Sequence, residues 1–300
     1  MLGEPKTRSP LPLGFPTAMW IDPRKCVACG NCVAVCPMGA ISIDRERDRA
    51  VVNTDECVEC YTCFRGMSTE NLPPRLVRGV RRALAALRLR FDPEPDICPT
   101  SAITPTELEW PRTVRRAFSD VQATHESTGI LGRGTEEVKT NDVTGRVDVG
   151  QVGFTVELGR PGLGVRFREI ERVASALAVS GVEFEENNPV THLMVNRATG
   201  RLDPKILGEK VMSAIIEFRV PQAHVTSTLD LLEEVSEQLE TVMALGLYAR
   251  CDDEGRSGLE EVLLTREAEV LRAKTNLGLG RAERIQADPG PGQSRAGMPT

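Results

Sequence analysis

Short apolar runs between polar turns occupy much of the second half of the chain and predict a series of strands and helices. Short runs rich in β-branched side chains indicate strands, whereas apolar residues three or four positions apart indicate amphipathic helices. The predicted strands are residues 151–158, 182–185, 191–195, 214–220 and 244–249. The predicted helices are residues 168–179, burying Ile170, Val173, Ala174 and Leu177, and residues 229–242, burying Leu232, Val235 and Leu239.

The order of these elements predicts the class of the fold. Strand, helix and strand are followed by a second set of strand, helix and strand, with Asn187-Asn188-Pro189 as a break between them. This order is typical of an α+β domain of the split-βαβ type, an antiparallel sheet with helices on one face. Such a sandwich carries no chemistry by itself, so the function must be sought in particular side chains.

A further helix is predicted at about residues 73–92. Pro73-Pro74 precedes it and Pro93 follows it, which are suitable positions for proline at helix ends. An apolar stripe recurs at helical spacing, at Leu76, Val80, Leu84, Leu87 and Phe91. Much of the remaining surface is arginine, at Arg75, Arg78, Arg81, Arg82, Arg88 and Arg90.

These patterns divide the chain of 300 residues into five segments. Residues 1–18 and 276–300 are expected to be disordered tails, because they are rich in proline, glycine and polar residues. Residues 19–107 form an N-terminal module that contains the predicted helix, 108–148 a Gly/Thr-rich connector, and 149–275 the α+β domain. A chain of this length can hold two domains of ordinary size.

Composition excludes several classes of function. The formal net charge of -6 argues against general nucleic-acid binding, which needs a basic surface. No apolar run approaches the length of a membrane span. The N-terminus has neither an apolar core nor a twin-arginine start, so a cytoplasmic protein with free thiolates is expected.

The cysteines change the picture most. Cys26, Cys29, Cys32 and Cys36 stand in a C-x2-C-x2-C-x3-C-P run, which is typical of an iron–sulfur ligand loop. Three cysteines so close together can hold three corners of a cubane cluster. The fourth ligates the other cluster in two-cluster ferredoxins.

A second copy of the motif begins 31 residues later with Cys57, Cys60 and Cys63. At that offset Cys36 maps onto Met67, a thioether that is a poor iron ligand. The missing part lies further along the chain, where Cys98-Pro99-Thr100-Ser101-Ala102-Ile103 repeats the C-P-x-x-A-I pattern that starts at Cys36. The second motif has therefore been opened by an insertion, with 34 residues between Cys63 and Cys98.

Residues 20–66 and 96–105 resemble the bacterial two-[4Fe-4S] ferredoxin family. The resemblance implies two [4Fe-4S] clusters and an electron-transfer role. The first cluster would be bound by Cys26, Cys29, Cys32 and Cys98, and the second by Cys57, Cys60, Cys63 and Cys36. The long insertion departs from the family pattern and makes the role of Cys98 the point to test.

The cysteines have alternative roles that stay open at this point. Paired C-x2-C groups can hold structural zinc, although overlapping triplets followed by C-P are not a zinc pattern. Disulfides do not suit this spacing. Met67 in the fourth position would leave a labile or three-iron cluster. Cys251, far from the remaining cysteines, is expected to be a buried thiol.

The basic helix and the connector add two candidate sites. The helix either packs beside the cluster with a solvated basic face, or offers a docking surface to an acidic redox partner. In the connector, Gly129, Gly132 and Gly134 could direct backbone N–H groups at an anion such as a flavin phosphate, with Arg133 adding charge. An ordinary ordered loop is the alternative. Of the three histidines, His125 lies beside this loop and is the one to test first.

The succession of the split cysteine motif, residues 128–142 and residues 157–162 is similar to 6-hydroxynicotinate reductases. That resemblance implies an oxygen-sensitive iron–sulfur flavoprotein that reduces a nitrogen heterocycle with ferredoxin electrons, and His125 or His192 could then supply a proton. The alternative is a non-catalytic electron-transfer subunit that serves a separate redox enzyme, with a ferredoxin or flavoprotein as its partner. The sequence does not identify a catalytic residue.

Overall fold

A computed structural model describes residues 18–132, 134, 145–160, 162–259 and 262–263 of the chain. Residues 1–17 and 276–300 of the predicted tails, and part of the connector including Arg133, lie outside the described residues. The described residues form two apolar clusters, one around the N-terminal cysteines and a larger one in the second half of the chain. Within the described ranges, no helix has both the length and the apolar character needed to cross a membrane.

The N-terminal module consists of short elements, as expected where cysteine-rich loops rather than long strands fill the interior. Its strands are β1 (Trp20–Ile21), β2 (Ile41–Asp44), β3 (Arg49–Val52), β4 (Ser68–Thr69), β5 (Ile97–Cys98) and β6 (Ile103–Thr104). Its helices are α1 (Asn31–Val35), α2 (Thr62–Arg65) and α3 (Pro74–Ala86). Strands β1 and β6 pair antiparallel, as do β2 and β3, and these two ladders flank the cysteine loops.

The two sequence repeats are also structural repeats. In the first, the amide of Asp22 donates to the carbonyl of Ala102 at 2.8 Å. In the second, Asn53 donates to Ala40 at the same distance. Each of these bonds joins the chain just before a cysteine triplet to the alanine of a C-P-x-x-A-I segment. The segment that begins at Cys98 is therefore placed against the first cysteine triplet in the same way as the segment that begins at Cys36 is placed against the second.

The inserted segment leaves the module and returns to it at neighbouring positions. Strand β4, just after Met67, lies parallel to β5, with Ser68 opposite Ile97 and Thr69 opposite Cys98. Parallel neighbours need a crossover connection, usually a helix, and α3 supplies it here. The insertion therefore extends outward from the module and returns Cys98 to the place where an uninterrupted motif would have put its fourth cysteine.

Helix α3 forms where a helix was predicted, but it ends at Ala86 rather than near residue 92, and the face that it buries was predicted wrongly. Val77 is its buried apolar residue, whereas Leu76, Val80 and Leu87 are 62%, 45% and 69% exposed. The helix is attached mainly by polar contacts, because Arg81 pairs with Asp48 at 2.8 Å and the Arg78 side chain reaches backbone carbonyls. The spacing of apolar residues predicted the helical period. It could not show which face of the helix packs against the rest of the module.

The second half of the chain forms an α+β body. Its helices are α4 (Thr113–Ser119), α5 (Phe167–Val179), α6 (Pro189–His192) and α7 (Val225–Ser236), with 3-10 turns at Pro204–Ile206 and Gln222–His224. Its strands are β7 (Gln151–Leu158), β8 (Val165–Arg166), β9 (Glu183–Phe184), β10 (Met194–Asn196), β11 (Arg201–Leu202), β12 (Lys210–Val211), β13 (Ala214–Pro221) and β14 (Met243–Ala249). Four of them form an antiparallel sheet in the order β14-β7-β13-β9.

The core of this body lies between the sheet and helices α5 and α7. Phe154 and Phe218, on the two central strands, stack with ring centroids 5.0 Å apart. The residues that the helical period assigned to the buried face of α5 are all fully buried. Helix α4, which sequence patterning did not predict, adds Val114 and Phe118 to the same core. The segment counted as connector thus contributes to the packing of the domain.

Two predicted elements of this domain differ from the structure. Residues 191–195 were predicted as a strand, but α6 ends at His192 and only β10 is extended. The reason is the sequence Asn188-Pro189, which supplies a helix cap and a suitable first residue. Helix α7 starts and stops several residues earlier in the chain than predicted. Leu239 therefore lies beyond the end of the helix and is only partly buried.

We expect Asn188→Ala to lower the free energy of unfolding by about 2 kcal/mol. The Asn188 side chain is fully buried; its oxygen accepts from the Val190 amide at 2.8 Å and its nitrogen donates to the Ile215 carbonyl at 3.0 Å. Urea unfolding followed by circular dichroism measures the change, with the exposed neighbour Asn187→Ala as control. Equal stability of the two variants would contradict this role.

Candidate iron–sulfur sites

Two sets of four cysteines lie next to each other in the N-terminal module. The first set, site I, lines one cavity and consists of Cys26, Cys29, Cys32 and Cys98. Met67 lines the same cavity as Cys98. The sequence grouped these four cysteines by family resemblance, and the structure brings them together although Cys98 is separated from the others by the insertion.

The second set, site II, consists of Cys36, Cys57, Cys60 and Cys63. Burial and then the nearby sulfurs of Cys60, Cys57 and Cys36 raise the pKa of the Cys63 thiol. Cys32 of site I contributes a smaller effect in the same direction. Because such interactions require proximity, the four side chains of site II lie together and adjoin site I.

The cysteine loops use a left-handed backbone at equivalent positions. In the first loop Ala28 and Gly30 have φ of 53° and 92°, and in the second Glu59 and Tyr61 have φ of 55° and 58°. This conformation is uncommon for residues other than glycine and persists only where the surroundings enforce it. The repeated geometry bends each triplet so that its three side chains point into one space.

Backbone amides donate to the cysteine sulfurs. The Ala102 amide lies 3.3 Å from the Cys98 Sγ, and the Ala40 amide lies 3.3 Å from the Cys36 Sγ. The Ala50 amide donates to the Cys26 Sγ at the same distance. Such bonds stabilise negative charge on sulfur and help to set the potential of an iron–sulfur group.

The ionisation of these thiols fits a cationic group bound between them. Burial, together with the nearby Cys29 and Cys26, raises the pKa of Cys32 to about 12. Burial and the carboxylate of Glu59 raise the pKa of Cys57 to about 12. Four crowded thiolates would repel one another without a cation, whereas a coordinated thiol is deprotonated by the metal. The donor set of each site therefore suits an iron–sulfur core.

Among the described residues, no group of three or more His, Cys, Asp or Glu side chains is placed to hold one metal ion. In a cubane, by contrast, each thiolate ligand binds a different iron.

Asn31 fixes the returning end of the insertion and was not identified from sequence. Its side-chain nitrogen donates to the carbonyls of Glu94 and Ile97 at 2.6 and 3.0 Å. Thr100 adds a second link by donating to the Lys25 carbonyl at 2.8 Å. These bonds place Cys98 against the first cysteine loop. Because backbone carbonyls accept them, no spacing in the sequence could have indicated them.

A buried ion pair supports site II. Glu59, between Cys57 and Cys60, is fully buried and accepts from the Arg112 guanidinium at 2.7 Å. Its oxygens also accept from the Met19 amide. Arg112 additionally donates to the Thr54 carbonyl at 2.9 Å. The second cysteine loop is therefore held by a residue just before α4, outside the predicted module.

The C-terminal domain covers the loop of site II. Arg115, on α4, is 4% exposed, donates to the carbonyls of Asp55 and Cys57 at 2.7 and 2.9 Å, and pairs with Glu209. Two more cations of the domain continue this contact: Arg166 pairs with Asp55 at 2.6 Å, and Lys210 pairs with Glu56.

Comparison with known proteins agrees with this geometry for the N-terminal module. A family model described as a 4Fe-4S dicluster domain matches residues 18–66. The module is a ferredoxin module. Two curated proteins named Ferredoxin-1, both from Rhodobacter capsulatus, are each 46% identical to the chain over 43 residues.

The similarity is local. It covers 14% of this chain and spans 63% of the length of the curated relatives. No solved structure matches the chain. The ferredoxin module and its capacity for iron–sulfur clusters are therefore shown, while the activity of the whole protein is a matter for proposal.

The glycine-rich connector forms a compact loop in its described part. Gly129, Gly132 and Gly134 have φ of 71°, 72° and 73°. The amide of Gly129 donates to the His125 carbonyl at 2.8 Å, and that of Gly134 donates to the Leu131 carbonyl at 3.3 Å. Two of the three amides offered as anion donors are thus engaged within the loop.

The remaining candidate residues are not brought to the cysteines. His125 is 4% exposed and packs edge-to-face on Phe118, whereas His192 and His224 are exposed. Cys251 is exposed, which contradicts its prediction as a buried thiol. It lies just beyond the end of β14, where the chain leaves the sheet and the apolar run gives no further burial.

Proposed function

We propose that the protein transfers single electrons through two adjoining [4Fe-4S] sites, site I and site II. The observation that carries this proposal is that Cys98, the C-P cysteine of the second motif, lines one cavity with the first triplet, Cys26, Cys29 and Cys32. Iron–sulfur groups supply one-electron chemistry at a potential set by their surroundings. The match to a 4Fe-4S dicluster domain supports the same conclusion.

The residues of the chain have distinct parts in this function. The cysteine thiolates hold the metal groups, and amides such as that of Ala102 donate to the sulfurs. Buried apolar residues around both sites, among them Ile21, Ile41 and Ile103, exclude water. The Cys63 thiol of site II lies near the Cys32 thiol of site I, and an electron would pass between the two sites across this boundary.

Anaerobic chemical analysis tests this function. We expect about eight iron and eight acid-labile sulfide per chain, as two cubanes require. Dithionite should bleach the visible absorbance reversibly, and the reduced protein should show the electron paramagnetic resonance signal of two interacting centres. Loss of visible absorbance that air-free reoxidation fails to restore would contradict reversible electron transfer.

We also propose that the C-terminal domain is a split-βαβ sandwich that docks the ferredoxin module. The order β7-α5-β9-β13-α7-β14 along the chain, with the strands arranged β14-β7-β13-β9 in the sheet, supports this fold. Its ion pairs with Asp55 and Glu56 support the docking role.

A second candidate function, a ferredoxin-dependent reductase of a nitrogen heterocycle such as 6-hydroxynicotinate, is favoured by one observation. The buried Nε2 of His125 has no hydrogen-bond partner among the described residues, and it lies beside the glycine loop offered as a flavin site. Flavin released by denaturing the anaerobic protein, with turnover of 6-hydroxynicotinate by reduced viologen, would support it. Iron and sulfide without flavin would leave electron transfer as the function.

A further inference from the structure

An arginine-lined groove lies on the ferredoxin module beside site I. Its walls are the segment before Cys26, the turn between β2 and β3, and the start of α3. The residues of this arginine groove are Arg24, Arg47, Arg49, Arg75 and Arg78, together with Pro23, Pro73 and Pro74. They come from three separate stretches of sequence, so the insertion is what assembles the groove.

The groove is directly connected to the loop of site I. Arg78 reaches from α3 and donates to the carbonyls of Arg24 and Cys26, the latter at 3.3 Å. Arg49 donates to the Pro23 carbonyl at 2.6 Å. These bonds anchor both side chains against the backbone that carries Cys26. A molecule seated in the groove would therefore lie against site I.

Few carboxylates balance this charge. Arg47 makes an exposed contact with Asp44 at 3.6 Å, and Asp48 pairs with Arg81 outside the groove. Within the described part of the chain, no carboxylate pairs with Arg24 or Arg75. Burial and then the neighbouring Arg49 lower the pKa of Arg78, as expected where positive charges are crowded. The groove is thus a positive patch on a chain whose net charge is -6.

The two sites face different surroundings. The loop of site II is covered by the C-terminal domain through Arg115 and Arg166. The loop of site I instead borders the groove, with Arg24 exposed at its rim. An external protein can therefore approach site I along the groove, whereas the loop of site II contacts a domain of the same chain.

We propose that the arginine groove docks an acidic one-electron carrier protein that exchanges electrons with site I. This rests on the proposed function and specifies its partner and its point of entry. The reduced carrier loses one electron and the iron–sulfur group at site I gains it, and no bond forms or breaks. A protein suits the groove better than a small anion for two reasons. Arg49 and Arg78 already donate hydrogen bonds to backbone carbonyls, so fewer of their N–H groups are left for a single anion. The exposed guanidinium groups suit carboxylates that are spread over a protein surface.

Complementary charge acts mainly on association. Opposite patches raise association rates by about ten- to a thousandfold at low ionic strength, and salt removes most of the gain. Because the chain carries net negative charge, an acidic carrier is repelled elsewhere and attracted here. Docking should therefore depend on the position of the arginines as well as on their number.

The test uses the full-length, iron-loaded protein and an acidic two-[4Fe-4S] ferredoxin as carrier. The variant Arg24→Glu/Arg75→Glu reverses two exposed arginines of the groove. The matched control, Arg88→Glu/Arg90→Glu, makes the same change in net charge at exposed positions beyond α3. Stopped-flow mixing with the reduced carrier gives the rate, and calorimetry with the oxidised carrier gives the dissociation constant.

We expect the groove variant to react about tenfold or more slowly at low salt, to bind about tenfold more weakly and to lose most salt dependence. The control should change both quantities by less than about twofold. Equal effects of the two variants, or no effect of either, would overturn the proposal. A different result would also overturn it: the wild type and the control bind tripolyphosphate tightly, the groove variant does not, and yet the groove variant reacts with the carrier as fast as the wild type. That result would assign the groove to a small polyanion.

A zwitterionic viologen separates failure of the groove from failure of the proposed function. This small mediator is neutral when oxidised and carries a single negative charge when reduced, so at high salt it needs no docking surface. It should reduce the wild type and both variants equally. If it reduces none of them, electron transfer itself fails; if it reduces all of them while the carrier rates remain equal, only the groove assignment fails.

Discussion

Replacing Cys98 by alanine is expected to empty site I and leave site II filled. Cys98 lies in the cavity with Cys26, Cys29 and Cys32, and its Sγ accepts from the Ala102 amide. A cubane with one thiolate missing is exposed to loss of iron, and Met67, which lines the same cavity, is a poor replacement. Iron should fall from about eight to about four per chain, because one of two four-iron groups is lost.

The control for this experiment is Cys251→Ala. Cys251 is exposed and belongs to neither site, so its variant should keep the iron content of the wild type. Electron paramagnetic resonance of the reduced Cys98→Ala protein should show one isolated centre in place of two interacting ones. Full iron content in Cys98→Ala would contradict the assignment of this cysteine to site I.

Replacing Glu59 by alanine is expected to cost about 3–5 kcal/mol of stability, as removal of one partner of a buried ion pair does. The change leaves the Arg112 guanidinium, 17% exposed, and the Met19 amide without their carboxylate. The backbone itself accommodates alanine, because Ala28 has nearly the same φ in the first loop. The loss therefore reports on the charge pair and not on the left-handed conformation.

Urea unfolding of the anaerobic protein measures this effect, and the rate of iron release to a chelator follows site II. Glu186→Ala is the control, since Glu186 makes a surface pair with Arg197 at 3.6 Å and exposed pairs contribute about 0–1 kcal/mol. We expect Glu59→Ala to unfold at lower urea and to release iron from site II faster than the control. Similar behaviour of the two variants would show that Arg112 does not need Glu59.

The grouping of the cysteines could be predicted largely from sequence, because their spacing within each loop is a local property. Cys98 is the one cysteine of the two sets that lies far along the chain from the others. The repeated C-P-x-x-A-I segment nevertheless pointed to it as the fourth member of a set. The structure shows why the repeat was informative: Ala40 and Ala102 donate to equivalent sulfurs, so the motif specifies a hydrogen bond as well as a cysteine.

The supporting residues could not be predicted in the same way. Asn31 and Arg115 act on backbone carbonyls, which every residue carries, so no pattern of side chains indicates them. Glu59 repeats the position of Ala28, and the first motif gives no sign that a buried carboxylate belongs there. Pairing of Glu59 with Arg112 depends on the position of α4, a helix too short for a clear period.

The long periodic elements of the C-terminal domain were predicted well, and the short ones were not. Strand β7 and helix α5 have enough turns or alternations for the pattern to decide their type. Helix α6 depends on the cap by Asn188, which is a signal of only a couple of residues. Helix α3 was predicted from the correct helical period, but the period did not show that the face with Leu76 is exposed. Which face of a helix is buried depends on the elements that pack against it.

The most direct test of the crosswise arrangement is an anomalous difference map at the iron edge from anaerobically grown crystals. We expect two cubes, one bonded to Cys26, Cys29, Cys32 and Cys98 and the other to Cys36, Cys57, Cys60 and Cys63. Bonding of Cys98 to the same cube as Cys57, or a single cube in the module, would contradict it.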